Sequence, residues 1–285
     1  MIIKKEDEMK SLRTYKQLLL IISFAFITAA LSGQNNKTGD AYVPEVGQQG
    51  KDVVWVPTPQ ELVDTMLAIA KVTPADFLID LGSGDGRTVI SAAKKGARAM
   101  GIEYNPDMVK LSRRNAEKEG VNGKAEFIEA DLYEADLSKA TVITMFLLPE
   151  INLKLRPRIL DLKPGTRIVS NTFTMGEWEA DREVTTDDNW NSWNTALLWI
   201  VPAKVEGIWK LGKDELVITQ DFQMIRGKLN HNGKSLTITD GRLSGNDLTF
   251  KAGDYLYTGT VNGSKISGKV SNSVLGNTSD WVATR

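Results

Sequence analysis

"FLIDLGSGDGR", running from Phe77 to Arg87, joins an apolar run to an acid, three glycines at alternate positions and a second acid. A short apolar run closed by glycine predicts a buried strand over Phe77–Leu81. The residues that follow predict a helix over Arg87–Lys95, with Val89, Ile90, Ala92 and Ala93 on its inner side. Strand, glycine loop and helix start together expose backbone N–H groups around one small space.

The same alternation extends to both sides. "TPQE" reads as a capping box, with Thr58 at N-cap, Pro59 at the first helical position and Glu61 at the third. Leu62, Val63, Met66, Leu67 and Ala70 then recur at helical spacing. "RAMGIEY" predicts a second strand, and Asn105-Pro106 starts a helix that Gly120 stops. "KAEFIEA" and "ATVITMFLL" give the third and fourth strands. A helix follows around Ile151–Leu162, and "RIVSNTF" after the Pro164-Gly165 turn gives the fifth strand. "WNTALLWIVP" supplies a late strand, expected at the far side of the sheet. Strands separated by helices imply parallel βαβ units, hence an α/β, doubly wound sheet over residues 52–202. Ligands of such sheets sit beyond the carboxyl ends of the strands, near the switch point. That rule singles out Asp80 and its loop, Glu103, Asp131 and the segment Phe146–Glu150.

Three kinds of ligand compete for the loop. A dinucleotide fingerprint would need a third glycine at position 87, where Arg87 stands, and no G-x-x-x-x-G-K-[ST] phosphate loop is present. Asp80 and Asp85 flank the glycines with negative charge, a poor way to hold a pyrophosphate and a good way to hold a cation. S-adenosylmethionine carries a sulfonium and an ammonium, and its carboxylate can meet the N–H groups at the helix start. Glu103 follows Asp80 by 23 residues and ends the second strand, where a carboxylate accepts from both ribose hydroxyls. Asp131 ends the third strand, placed to accept from the adenine amino group.

These residues carry a resemblance. "DLGSGDGR", "GIEYNP" and "EADL" match, in order, the cofactor motifs of class I, seven-strand S-adenosylmethionine-dependent methyltransferases. More narrowly, "VWVPTPQELVDTML", "FLLPEINLKLRPRI" and "LKPGTRIVSNTF" are similar to the lysine methyltransferases that modify the ATP synthase c subunit and the adenine nucleotide translocase. The match covers roughly residues 53–178, about half the chain. It implies a Rossmann-like methyltransferase sheet, S-adenosyl-L-methionine as cofactor, and methyl transfer by in-line displacement to a nucleophilic acceptor, with protein lysine as its narrower form. It also implies cofactor binding by Asp80, Gly82, Ser83, Gly84, Glu103 and Asp131, with Thr58 near the methionine end. Asp85, Gly86, Tyr104, Asn105 and Leu132 complete the motifs and the candidate set. Each has a structural alternative: Thr58 as a cap, Asp80 as a helix-capping acid, Glu103 in an ion pair. Pro149-Glu150 reads first as a helix start. Trp55, Trp178, Trp190 and Trp193 are candidate walls of an acceptor pocket, with packing as the alternative. No catalytic base is identified.

Composition narrows the chemistry. The 285 residues carry 35 basic and 36 acidic side chains, a net charge of -1, and so present no electrostatic case for a nucleic-acid partner. There is no cysteine, which excludes disulfides, thiolate metal sites and the thiolate route to pyrimidine-C5 methylation. His231 is the only histidine and falls in a turn, so no histidine-based metal site is expected. "FLLPE" after the fourth strand replaces the Asn/Asp-Pro-Pro-aromatic pattern, which argues against adenine-N6 and glutamine acceptors.

Both ends of the chain add something. Residues 1–17 are basic, and "LLLIISFAFITAALSG" (18–33) is uncharged and ends in small residues. Residues 1–33 therefore match a secretory signal peptide, the alternative being an uncleaved N-terminal anchor that keeps the protein beside a membrane. Either way the domains are expected to be exported, periplasmic or secreted. Residues 34–51 read as linker. After Pro202 the composition shifts, and 204–285 reads as about eight short strands in an all-β meander or small barrel. "GIW" and the terminal arginine resemble the closed-end packing of lipocalin-like barrels. Two functions result: an exported methyltransferase, or a non-catalytic methyltransferase-like protein that binds or scaffolds through its β domain.

Overall fold

The structure, a computed structural model, describes residues 42–187 and 192–285. The expected signal segment 1–33, most of the linker and Trp190 lie outside the described residues. Residues 43–285 form one compact unit.

Its first part is a seven-stranded sheet: β1 Phe77–Leu81, β2 Arg98–Glu103, β3 Ala125–Glu129, β4 Val142–Met145, β5 Arg167–Asn171, β6 Arg182–Thr185 and β7 Thr195–Ile200. The spatial order is β3-β2-β1-β4-β5-β7-β6. Strands β1 to β5 pair in parallel, and β7 is antiparallel to both of its neighbours. The late strand β7 thus lies on the far side of the sheet, as expected, between β5 and the edge strand β6. Alternation along the strands divides the core. Leu78, Val142, Val169 and Leu198 face helices α1 Gln60–Ile69, α2 Arg87–Lys94 and α3 Pro106–Lys118. Ile79, Ile143, Ile168, Leu197 and Trp199 face α4 Pro149–Leu160.

Helix starts follow the sequence at α2, α3 and α4 and depart from it at α1. The Asn105 side chain accepts from the N–H groups of Asp107 (2.9 Å) and Met108 (3.4 Å), with Pro106 in the first turn. Pro149 opens α4, as the structural reading held. The capping box at Thr58 does not form: Pro59 is the N-cap of α1 and no side chain caps it. Thr58 Oγ1 instead accepts from Asn171 Nδ2 at the end of β5 (3.4 Å), turning the side chain into the sheet.

The second part is a closed antiparallel barrel of eight strands: β8 Gly207–Leu211, β9 Asp214–Asp221, β10 Met224–His231, β11 Lys234–Ser244, β12 Asp247–Ala252, β13 Tyr255–Asn262, β14 Lys265–Asn272 and β15 Thr278–Thr284. Apolar residues point inward and polar ones outward, as in "DLTFKA" of β12, where every second residue is buried. The interior is filled, among others, by Trp209, Phe250, Tyr257 and Trp281, so the barrel is a packed core. The Arg285 guanidinium lies 4.5 Å from the Trp209 ring and donates to the carbonyls of Glu206 and Lys204. His231 ends β10 and pairs with Asp214 at 2.6 Å.

The barrel docks on the sheet through Ala203, whose N–H donates to Gly245 O (2.8 Å), and through Gly245 against Gly165, which precedes β5. Gln223 Nε2 donates to Glu179 O (2.8 Å), Arg242 pairs with Asp181 just before β6, and Phe222 stacks on Trp178. Because β5 and β6 both begin there, the barrel sits at the end of the sheet opposite the carboxyl tips of β1 to β5.

Candidate functional site

At the tip of β1 the chain takes three left-handed glycines in succession: Gly82 (φ 74), Gly84 (φ 55) and Gly86 (φ 85). L-residues avoid that conformation. Close approach is needed as well. A Cβ on Gly84 would lie 2.6 Å from Trp55 Nε1, and one on Gly86 would lie 2.7 Å from the Phe127 ring. The N–H groups of Gly82 and Ser83 both donate to Ile102 O at the end of β2 (2.9 and 3.0 Å), which ties the loop to its neighbour.

Asp80 is 6% exposed, and Thr144, its register partner on β4, donates to Asp80 Oδ1 at 2.6 Å. Burial pushes the Asp80 carboxyl up to about 7. The nearby Asp85 and Glu103 charges push the same way, and the Thr144 bond opposes. A carboxylate that is costly to ionise here would be stabilised by an arriving cation, which is the fit that S-adenosylmethionine offers.

The second acid of the loop behaves otherwise. Asp85 is engaged by Arg87, whose Nη2 lies 2.6 Å and Nε 3.0 Å from it, and Arg87 Nη1 also donates to Thr58 O (2.9 Å). Asp85, expected to flank the glycines with negative charge, does so as one half of an ion pair, and its partner Arg87 clamps the start of α2 to the Thr58 segment. Glu103 accepts from the N–H of Gly84 through Oε2 and from the N–H of Asn105 through Oε1, both at 2.9 Å. Each oxygen keeps a further lone pair for a sugar hydroxyl.

Asp131, two residues past β3, accepts from the Tyr133 N–H (2.9 Å) and from Lys51 Nζ (2.6 Å). Those two bonds hold its carboxyl below the usual range, and the Asp131 bond raises Lys51. Lys51 Nζ also lies 4.7 Å from the ring centroid of the exposed Tyr104. The segment read as linker up to residue 51 therefore ends as a small hairpin, bridged at Gln49–Val54 and laid over the strand tips. Lys51 is a site residue that sequence reasoning missed, because 80 positions separate it from Asp131. Thr144 was missed too, and its signal was a lone hydroxyl in an otherwise apolar strand.

Thr58, Asp80, the loop Gly82–Gly86, Glu103, Tyr104, Asn105, Asp131 and Leu132 thus gather at the tips of β1, β2, β3 and β5. Of the tryptophans, Trp55 covers Gly84 and Trp193 lies near the tip of β4. Trp178 does not line a pocket. It is fully buried between sheet and barrel, where its carbonyl accepts from Trp199 Nε1 (2.7 Å).

Comparison with known proteins bears on the family and the fold. Residues 80–182 match the ANTKMT methyltransferase domain. A protein-lysine N-methyltransferase of Saccharolobus islandicus is 40% identical over 164 residues, which are 56% of this chain and 97% of that enzyme. The human lysine N-methyltransferase of the ATP synthase c subunit is 34% identical over 45% of this chain, which spans about half (54%) of its length. Among solved structures, an RNA methyltransferase from Salinibacter ruber in complex with S-adenosyl-L-homocysteine is 49% identical, with a TM-score of 0.50, over 53% of this chain and 96% of that one. With its glycine loop and strand-tip acids in place, this chain belongs to the seven-strand S-adenosylmethionine-dependent methyltransferase family that includes the protein-lysine N-methyltransferases.

Proposed function

We propose that this methyltransferase acts on the side-chain amine of a protein lysine. The observation that carries the reading is the likeness to the Saccharolobus lysine methyltransferase, which extends over 97% of that enzyme. The chain after β4 supports it, since "FLLPE" lacks the paired prolines expected for adenine-N6 or glutamine acceptors.

In this reading Asp80, Thr58 and the loop from Gly82 through Ser83, Gly84 and Asp85 to Gly86 hold the methionine end of the cofactor. Glu103 accepts from the ribose. Asp131 and Leu132 meet the adenine, flanked by Tyr104 and Asn105. When bound, the cofactor supplies a methyl group on a sulfonium, so that in-line attack by a neutral amine forms the C–N bond as the C–S bond breaks, its electron pair passing to sulfur. The chain contributes alignment, and the lysine, which binds as the ammonium, sheds its proton before it attacks. The nitrogen's proton leaves to solvent.

Two placements belong to the same proposal. The basic and apolar segments of residues 1–33 export the protein or tether it at a membrane. Among the described residues, no helix is long and apolar enough to cross one. The domain from 204 to 285 stabilises the sheet from the end remote from the crevice and does not line it.

The test is transfer of a labelled methyl group from S-adenosylmethionine by the full chain into envelope extract, followed by acid hydrolysis. Label in methyl-lysine is the expected result. RNA is the second reading, favoured by the 49% identity to the Salinibacter RNA methyltransferase. Nuclease-sensitive label would replace the lysine reading with it.

A further inference from the structure

Three aromatic side chains stand at the strand tips, outside the two apolar clusters of the sheet. Phe146 follows β4, Phe173 follows β5, and Trp193 precedes β7, whose start lies beside the end of β5. All three therefore stand at the same end of the sheet as the glycine loop. The Phe146 and Phe173 rings stack with centroids 5.8 Å apart, and Trp193 meets Phe146 edge-on at 5.8 Å. Each is half-buried, and none belongs to the two apolar clusters that flank the sheet. Trp178, by contrast, is wholly inside one of them.

The backbone that presents Phe173 is strained. Thr172 has φ 59, a conformation that β-branched residues avoid. Its N–H donates to Thr195 O (2.7 Å) and its hydroxyl to Asn171 Oδ1 (3.0 Å). Asn152, fully buried on α4, donates from Nδ2 to the carbonyls of Phe173 and Thr174, both at 3.2 Å. Asn171 in turn donates to Thr58. A strained turn held from several sides is what a site needs when a ring must stand in one place, and core packing requires none of it.

We propose that Phe146, Phe173 and Trp193 form the acceptor subsite, and that it takes the methylene chain and amine of a lysine side chain. The inference rests on the lysine reading above. Aromatic faces suit both parts of that ligand: they cover the methylenes and attract the ammonium through the ring quadrupole. They also hold the methylated product, which keeps its positive charge. Asn152 and Thr172 are positioning residues, since they touch the turn and not the acceptor.

The test uses the full chain labelled with fluorotryptophan and saturated with S-adenosylhomocysteine, the Trp193 resonance being the one lost in Trp193→Phe. Nα-acetyl-lysine amide should shift that resonance in fluorine NMR, and the uncharged Nα-acetyl-norleucine amide, which keeps the alkyl chain and lacks the ammonium, should do so only at higher concentration. Phe173→Leu keeps the apolar bulk and removes the ring face. It should raise the acceptor KM roughly three- to thirty-fold, the equivalent of one cation–π contact, with affinity for S-adenosylhomocysteine unchanged and Phe173→Tyr restoring KM. If the chain methylates lysine, an unmoved Trp193 resonance or a wild-type KM in Phe173→Leu overturns the subsite alone. Label on a different acceptor overturns the lysine reading and the subsite with it.

Discussion

Replacing Asp80 by asparagine should stabilise the ligand-free protein while weakening its grip on the cofactor, and the pH dependence identifies the cause. The carboxyl is buried and its pKa is raised from 3.8 to about 7. Between those values the folded protein keeps a proton that the unfolded chain has lost, so stability falls as pH rises across the window and levels off above about pH 7. About three pH units at about 1.4 kcal/mol each give a penalty on the order of 4 kcal/mol at neutral pH and above. Asparagine cannot ionise, and it retains an oxygen for the Thr144 hydroxyl. In urea titrations the stability gap between variant and wild type should therefore widen by up to that amount from about pH 4 to about pH 7, then hold steady. A cation bound beside Asp80 should also expel its proton. Calorimetry at about pH 6, in buffers of different ionisation enthalpy, should detect close to one proton released per S-adenosylmethionine, and none for Asp80→Asn. A gap that is constant with pH, or that narrows as pH rises, refutes the reasoning about burial. Binding without proton release refutes the placement of the cation.

Glu103→Ala removes the acceptor for the Gly84 and Asn105 N–H groups and for the ribose. Cofactor affinity measured by calorimetry should fall by roughly ten- to a hundred-fold, the loss of charged hydrogen bonds. Gly84→Ala puts a methyl 2.6 Å from Trp55 Nε1 at a φ of 55, so the melting temperature should fall by the equivalent of about 1–3 kcal/mol. Asp76 lies at the far end of β1, where it is buried yet held below the usual carboxylate range by Thr141, the Thr73 N–H and Arg167. Its contribution is present above the ordinary value of 3.8 and is lost as pH falls through the lowered one. Asp76→Asn should cost about 3 kcal/mol at neutral pH in urea unfolding and leave cofactor affinity intact.

What could be read in advance was whatever one local stretch decides. The left-handed glycines, the Asn105 cap and the spacing from Asp80 to Glu103 are each set within a few residues or one βα unit, and the structure has them where the sequence puts them. The eight barrel strands were legible because inward apolar residues alternate between glycine-rich turns. Edge strand β6 was not, since Arg182-Glu183-Val184-Thr185 is short and mostly exposed and shows no apolar run. The Lys51–Asp131 pair and the Thr58–Asn171 contact join residues 80 and 113 positions apart, which no local pattern records. Thr58 illustrates the cost of local reasoning. Its sequence context fits a cap, but the sheet offers its hydroxyl a buried donor and the helix starts one residue later. The strain at Thr172 was equally hidden, because a β-branched residue gives no hint of a positive φ.

The most direct measurement of the site is a crystal structure of the full chain with S-adenosylhomocysteine. The nucleoside should lie across the tips of β1, β2 and β3, with both ribose hydroxyls on Glu103, the adenine amino group on Asp131 and the methionine carboxylate at the N–H groups of the glycine loop. A nucleoside bound elsewhere, or in that crevice with Glu103 left to Gly84 and Asn105 alone, would contradict it.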